Sequence, residues 1–70
     1  METITILEFL GAKDRKSNFM IMDEQWHVRN VTIPWYITGY SFYKDVNPGD
    51  KITVSYYTGT QHTVVDWVGL

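Results

Sequence analysis

Cysteine is absent from this chain, which removes two ways of stabilising a small protein. Neither a disulfide nor a cysteine-ligated metal site can form. No run of about 18 apolar residues could cross a membrane as a helix. Alanine, the strongest helix former, occurs only at Ala12. A chain of 70 residues is expected to be one domain, over residues 1–70, held together by the packing of its own side chains.

Positive charge is also scarce. Six Lys and Arg residues stand against eight Asp and Glu residues, which gives a formal net charge of −2 at pH 7. A strongly basic binder of duplex DNA would have the opposite balance. No basic segment precedes an apolar run near Met1, so we expect no secretory signal and a cytoplasmic protein.

Aromatic and β-branched residues, by contrast, are plentiful. The chain is 44% hydrophobic and 16% aromatic, with three Trp, five Tyr and three Phe. Buried aromatic rings remove large apolar areas from water and can supply the core that a disulfide would otherwise reinforce. This balance predicts an all-β protein.

Strand periodicity recurs in five segments. Ile4 and Ile6 alternate with threonines, which predicts a strand over residues 3–10, and the alternation slips after Ile6, which indicates a curl or a bulge. Polar residues 12–18 predict a hairpin loop. Further strands are expected over residues 19–22, 26–33, 51–57 and 61–70, and Pro34 should end the third because it lacks a backbone donor.

Residues 34–45 interrupt the strands and are rich in aromatic side chains. We expect an irregular or one-turn segment that plugs the core, with a short helix or an edge strand as alternatives. Tyr40 and Tyr43 are expected to be the most exposed of its aromatic residues, which are Trp35, Tyr36, Tyr40, Phe42 and Tyr43.

The stretch VNPGDKITVSYY, residues 46–57, combines a Pro-Gly turn with an alternating strand. Together with FMIMDEQ, residues 19–25, and the strand order, it resembles the OB-fold, a five-stranded, partly open Greek-key β-barrel. An SH3-like barrel is the alternative. The tight turn lets the fourth strand cross back and pair with the first, so that Ile52, Val54 and Tyr56 meet the inward residues of the other strands, Ile4, Ile6, Phe19 and Ile21.

The OB-fold resemblance implies a ligand face on the second and third strands, flanked by the first and last hairpin loops. Basic groups beside flat apolar side chains on such a face would suit single-stranded DNA or RNA. A solvated, charged hairpin loop is the plainer interpretation of the basic residues. The candidate binding residues are Lys13, Arg15 and Lys16 in the loop, Met20, Met22, His27 and Arg29 pointing outward on the face, and Tyr57 exposed on the fourth strand.

No catalytic signature is present in the sequence. There is no Gly-rich phosphate loop or nucleophile elbow, and His62 and Asp66 would lie about 13 Å apart along a strand. We therefore expect a binding domain without catalysis, cofactor or metal. The alternative to nucleic acid is a protein-interaction module, such as an accessory subunit, an inhibitor or a self-associating barrel, that uses exposed aromatic residues or a free strand edge.

Overall fold

The computed structural model describes residues 1–69, and these form five strands and two helices of a single turn each. The elements are β1 (Glu2–Lys13), β2 (Lys16–Met22), β3 (Val28–Pro34), α1 (Trp35–Thr38), α2 (Phe42–Asp45), β4 (Lys51–Tyr56) and β5 (Val64–Gly69). The predicted last strand included Leu70, which lies outside the described residues.

The strands form one sheet in the order β3-β2-β1-β4-β5, and every neighbouring pair is antiparallel. Three hairpin-connected strands and a fourth that returns beside the first define a Greek key. β3 and β5 approach each other at one parallel bridge, between Thr32 and Thr63. The result is the small all-β, partly open barrel that the sequence predicts.

β1 belongs to both halves of the barrel because it is long and bends. Residues 2–5 pair with β4, while residues 5–13 pair with β2. The ladder to β2 shifts between Ile6 and Glu8 and again between Phe9 and Gly11, which leaves Leu7 and Leu10 as the extra residues. The slip in the sequence alternation is thus confirmed as β-bulges, which bend a strand and increase its twist.

The inward side chains of all five strands meet in one core. Phe42 of α2 closes it, packing edge-on against Phe19 at 6.0 Å and against Trp67 at 4.8 Å between ring centroids. The segment over residues 34–45 therefore plugs the core as predicted, through two single helical turns. The buried apolar residues are Ile4, Ile6, Phe19, Ile21, Val31, Ile33, Phe42, Val46, Ile52, Val54 and Val64.

The Asn-Pro-Gly-Asp turn sets the register of β4 on β1. The Asp50 N–H donates to the Asn47 carbonyl at 3.0 Å, and Gly49 takes a φ of +96°, which a type II turn requires at its third position. The Gly49 N–H then donates to the Ile6 carbonyl, and the Ile6 N–H donates to the Asp50 carbonyl. This docking starts the ladder in which Ile52 lies opposite Ile4.

Several predicted boundaries are wrong, among them the start of the last strand, which is Val64 and not residue 61. The expected hairpin loop over residues 12–18 is a two-residue turn, because Asp14 and Arg15 take left-handed φ values of 54° and 60° and let Lys13 pair with Lys16. Polar residues on an exposed strand surface look like loop residues in the sequence. β3 begins at Val28 instead of residue 26, because Asp23 holds the two residues before Val28 in a turn.

Replacing Val54 with Asp is expected to prevent folding, because Val54 is fully buried and a carboxylate there would have no partner. A chain of this length has roughly 4–10 kcal/mol of stability in total, and a buried unpaired charge costs about 4 kcal/mol or more. Urea unfolding followed by circular dichroism measures the change. Lys51→Asp, on an exposed position of the same strand, is the matched control and should unfold close to the wild-type midpoint.

Candidate binding face

The outward side chains of β1, β2 and β3 form a continuous surface, here called the outer face. Cross-strand pairing arranges it in rows, because residues directly opposite each other in a sheet point to the same side. One row is Thr5, Met22 and Val28, and the next is Glu8, Met20 and Asn30. Val28 is 54% exposed, and Met20 and Met22 are half-buried, so these three side chains form an apolar patch bordered by Thr5, Glu8 and Asn30.

Positive charge gathers at one end of the outer face. The two-residue turn brings Lys13, Arg15 and Lys16 together at the end of the β1–β2 hairpin, and all three are exposed. We call residues 13–16 the basic tip. Asp14 is its only acidic residue, and among the described residues none of the three cations makes an ion pair. The Arg15 carbonyl accepts the Trp35 N–H at 2.9 Å, which anchors the tip to α1.

The opposite end of the outer face is the β2–β3 turn, residues 23–27, here called the acidic turn. Asp23 organises it, since its Oδ1 accepts the backbone N–H groups of Gln25 at 2.8 Å and His27 at 2.9 Å. This turn holds Trp26 at a φ of 66° with 81% of the residue exposed. A large aromatic residue in the left-handed region is uncommon, and such outliers cluster at functional sites.

Arg29 lies on the inner side of β3, which contradicts its predicted outward position. It pairs with Ile21 and therefore points to the same side as Val31 and Ile33. Its Nη2 lies 3.4 Å from Glu2 Oε2 and 3.2 Å from the Tyr56 hydroxyl, while its Nε lies 3.1 Å from Asp23 Oδ2. Its Nη1 donates to the Gln61 side chain at 2.8 Å. Two carboxylates neutralise this cation, so it is not available for a phosphate.

The Arg29 cluster shifts the pKa values of two of its neighbours in opposite directions. The backbone N–H of His27, with further help from Gln25 and the Arg29 charge, lowers the pKa of Asp23 although burial opposes the shift. Burial, assisted by the Glu2 charge, raises the pKa of Tyr56 to about 12. Both shifts favour the states that the cluster requires, an ionised Asp23 and a protonated Tyr56 hydroxyl.

The remaining predicted residues lie apart from one another. Met20 and Met22 lie on the outer face as predicted, and His27 is exposed in the acidic turn. Tyr57 is 61% exposed, but it follows β4 and belongs to the β4–β5 loop. In the aromatic segment Tyr36 is the most exposed ring at 80%, which the sequence did not predict, and Tyr40 follows at 66%. Tyr43 is partly covered, contrary to the prediction, because it stacks on Phe9 at 4.6 Å.

An open depression of about 290 Å³ lies between the acidic turn and β4. Trp26, Lys51 and Thr3 contribute to its walls. Within residues 1–69, no three His, Asp or Glu side chains converge to hold a metal ion. In the same part of the chain, neither helix has the length or the apolar character needed to traverse a bilayer.

Comparisons of this chain with protein-family models, with curated proteins and with solved structures find no match.

Three residues of the outer face were missed by the sequence analysis: Trp26, Val28 and Asn30. Val31 and Ile33 are both apolar and two residues apart, so continuing their alternation backwards places Arg29 inside and Val28 and Asn30 outside. That signal was present in the sequence. The position of Trp26 could have been inferred from Asp23, because an Asp side chain that bonds the backbone two residues ahead starts a turn.

Asp23→Asn is expected to remove a pH-dependent part of the stability. Because the folded pKa of Asp23 lies below its unfolded value, the ionised carboxylate stabilises the fold above about pH 4, and this contribution is lost as the pH falls through the folded pKa. The wild type should therefore be more stable than the variant at pH 6, and the difference should shrink toward pH 2. Thermal unfolding across this range measures it. Asp45→Asn is the control for removing an exposed carboxylate, and a pH-independent difference for Asp23→Asn would contradict the assignment.

Proposed function

We propose that this chain is a non-catalytic binding domain whose outer face docks an apolar segment of a protein that carries acidic residues at one end. The observation that carries the proposal is the arrangement of that face. An apolar centre, Met20, Met22 and Val28, lies between the basic tip and the exposed Trp26.

The inward position of Arg29 favours a protein over a nucleic acid as the ligand of the outer face. Without Arg29 the outer face has no cation near its centre, and Glu8 occupies the middle row beside Met20. A phosphate chain would need positive charge along its path, whereas a protein segment needs charge only where its own acidic groups lie. Exposed Trp side chains beside apolar neighbours are typical anchors of protein interfaces.

The Greek-key order supports the resemblance to the OB-fold noted in the sequence. In that fold the ligand face lies on the second and third strands, and the outer face of this chain includes both. The β4–β5 loop also lies beside β3, since the Thr32 N–H donates to the His62 carbonyl at 2.6 Å. Fold likeness indicates where a ligand binds and not which ligand it is.

Selection from a displayed library of random peptides tests the docking proposal. β2 is about 20 Å long, so peptides of about ten residues cover the outer face. Peptides enriched on the wild type should combine apolar residues with Asp or Glu toward one end. They should lose binding at least about tenfold on the variant Trp26→Ala/Val28→Asp, because that variant removes the anchor and charges the apolar centre.

Tyr57→Ala is the matched control, because it removes an exposed aromatic residue outside the outer face. Peptides that bind all three proteins alike, or no enrichment at all, would contradict the proposal. Circular dichroism of each variant establishes that the fold is retained.

A second candidate function, single-stranded DNA or RNA binding, is favoured by the basic tip. Three unpaired cations lie next to α1, whose Tyr36 is 80% exposed, so phosphate and base contacts could occur side by side. This site would be centred on the tip and not on the middle of the outer face.

Fluorescence anisotropy of a labelled oligothymidine tests this candidate. If all three cations contact phosphates, the logarithm of the binding constant should fall with the logarithm of salt concentration with a slope of about −2. Lys13→Glu/Arg15→Glu/Lys16→Glu should abolish binding, while Lys44→Glu, which changes an exposed cation elsewhere, should not. The absence of binding at low salt rules this candidate out.

A further inference from the structure

One edge of β3 presents backbone groups that face away from the rest of the sheet. In an antiparallel ladder, successive residues direct their N–H and C=O groups alternately toward a neighbouring strand and away from it. The Thr32 N–H donates to the His62 carbonyl and therefore points away from β2. Because β3 pairs with β2 without a register shift, Val28 and Asn30 direct both of their backbone groups the same way.

Within residues 1–69, nothing pairs with the Val28 and Asn30 groups. β5 meets β3 at the single bridge between Thr32 and Thr63, and no backbone hydrogen bond joins Val28 or Asn30 to the β4–β5 loop that precedes Thr63. An open depression of about 610 Å³ lies beside this part of β3, between Arg29 and loop residues 59–62. The edge of β3 before Thr32 is therefore accessible.

The other open edges of the sheet are protected. On β5 the Trp67 N–H donates to Asp66 Oδ1 at 2.8 Å, and the Trp67 indole donates to the Ile37 carbonyl of α1 at 3.1 Å. On β1 the bulges at Leu7 and Leu10 interrupt the part of the strand that extends beyond β4. Bulges and bonded edge groups are ways in which natural sheets prevent a further strand from pairing.

The edge of β3 lacks this protection. Residues 28–32 contain no bulge, no proline and no lysine. The inward-pointing charge of Arg29 would otherwise discourage a further strand, but Glu2 and Asp23 neutralise it. A row of unpaired N–H and C=O groups is complementary to the backbone of another extended chain.

We propose that the segment docked by this domain binds in part as a short sixth strand, paired with Val28 and Asn30 at the edge of β3. This inference rests on the proposed docking function and specifies the conformation of the partner. Side chains of an added strand alternate between the two sides of the sheet. Those on the outer side lie beside Val28 and near the exposed Trp26, so they should be apolar. Those on the other side face the depression that Gln61 and His62 line, so they should be polar.

The bridge between β3 and β5 limits the length of the added strand. Because β5 occupies the edge at Thr32, pairing extends only from the acidic turn to Asn30, which is about four residues of the segment. Asn30 lies opposite Met20, and Lys16 of the basic tip is about 13 Å from Met20 along β2. About four further extended residues therefore bring the acidic end of the segment to the tip.

Backbone N-methylation of the peptides selected on the wild type tests the inference. A methyl group on nitrogen removes one donor and leaves every side chain in place. In an added strand only every second N–H faces β3, so methylation should weaken binding at least about tenfold at alternate positions of the paired stretch and have little effect at the positions between them. Fluorescence anisotropy of labelled peptides measures the affinities. A methylation profile without this alternation would overturn the inference.

A substitution in β3 tests the same edge from the side of the protein. Asn30→Pro removes the N–H that faces the edge and places a ring there, while the bonds between β2 and β3 are retained. It should weaken peptide binding at least about tenfold. Asn30→Thr is the matched control, because it replaces the same side chain and keeps the N–H, and it should bind as the wild type does. Circular dichroism establishes that both variants fold.

Hydrogen exchange measured by NMR gives a readout that needs no variant. In the free protein the Asn30 amide should exchange faster than the Val31 amide, which faces β2. Peptide binding should slow the exchange of the Val28 and Asn30 amides at least about tenfold, because both become hydrogen-bonded.

Two results separate this inference from the docking function. Peptides that bind in a manner dependent on Trp26 and Val28 but leave the exchange of the Asn30 amide unchanged would overturn the added strand and support docking by side chains alone. A library that yields no peptide at all would overturn both.

Discussion

Arg29 holds the open side of the barrel together, and the geometry of the binding face depends on it. One guanidinium contacts β1 through Glu2, β4 through Tyr56, the β4–β5 loop through Gln61 and the β2–β3 turn through Asp23. β3 and β5 share one bridge, and these side-chain contacts add to it and to the backbone bond from Thr32 to His62. A mostly buried cation costs desolvation free energy, and the Glu2 and Asp23 carboxylates offset part of it, while the buried Nε lies near Asp23 without a well-aligned hydrogen bond.

The same cluster determines what the outer face can bind. The ion pair between Asp23 and Arg29 helps to hold the turn in which Trp26 is exposed. Because Arg29 points inward, the centre of the outer face has no cation that could contact a phosphate. The ends and the centre of the outer face are thus chemically distinct. This division favours a partner that is apolar along most of its length and acidic at one end.

The sequence was informative where the apolar alternation is strict. Ile4 and Ile6, Phe19 and Ile21, and Ile52 and Val54 predicted strands, inward faces and the β1–β4 pairing, and Pro48–Gly49 predicted the turn that feeds β4. It was misleading where local hydrogen bonds override periodicity. The hydrogen bonds of Asp23 keep the two residues before Val28 in a turn, so they are not part of β3. The left-handed backbone of Asp14 and Arg15 makes a tight turn, so the strands of the first hairpin are longer than predicted. Candidate residues on β2 were therefore placed correctly, whereas the phase of β3 was assigned from the wrong starting point.

Two kinds of anionic ligand fit the basic tip: the phosphates of a nucleic acid and the acidic groups of a protein. They differ in how they would bind the rest of the outer face. A nucleic acid supplies phosphates along its length, so it gains from the tip but meets Glu8 and the acidic turn as it crosses the outer face. A protein segment supplies acidic groups at one end only, and its apolar residues cover Met20 and Val28. Salt weakens both interactions. The distribution of charge on the outer face is therefore more consistent with an acidic protein segment than with a phosphate track.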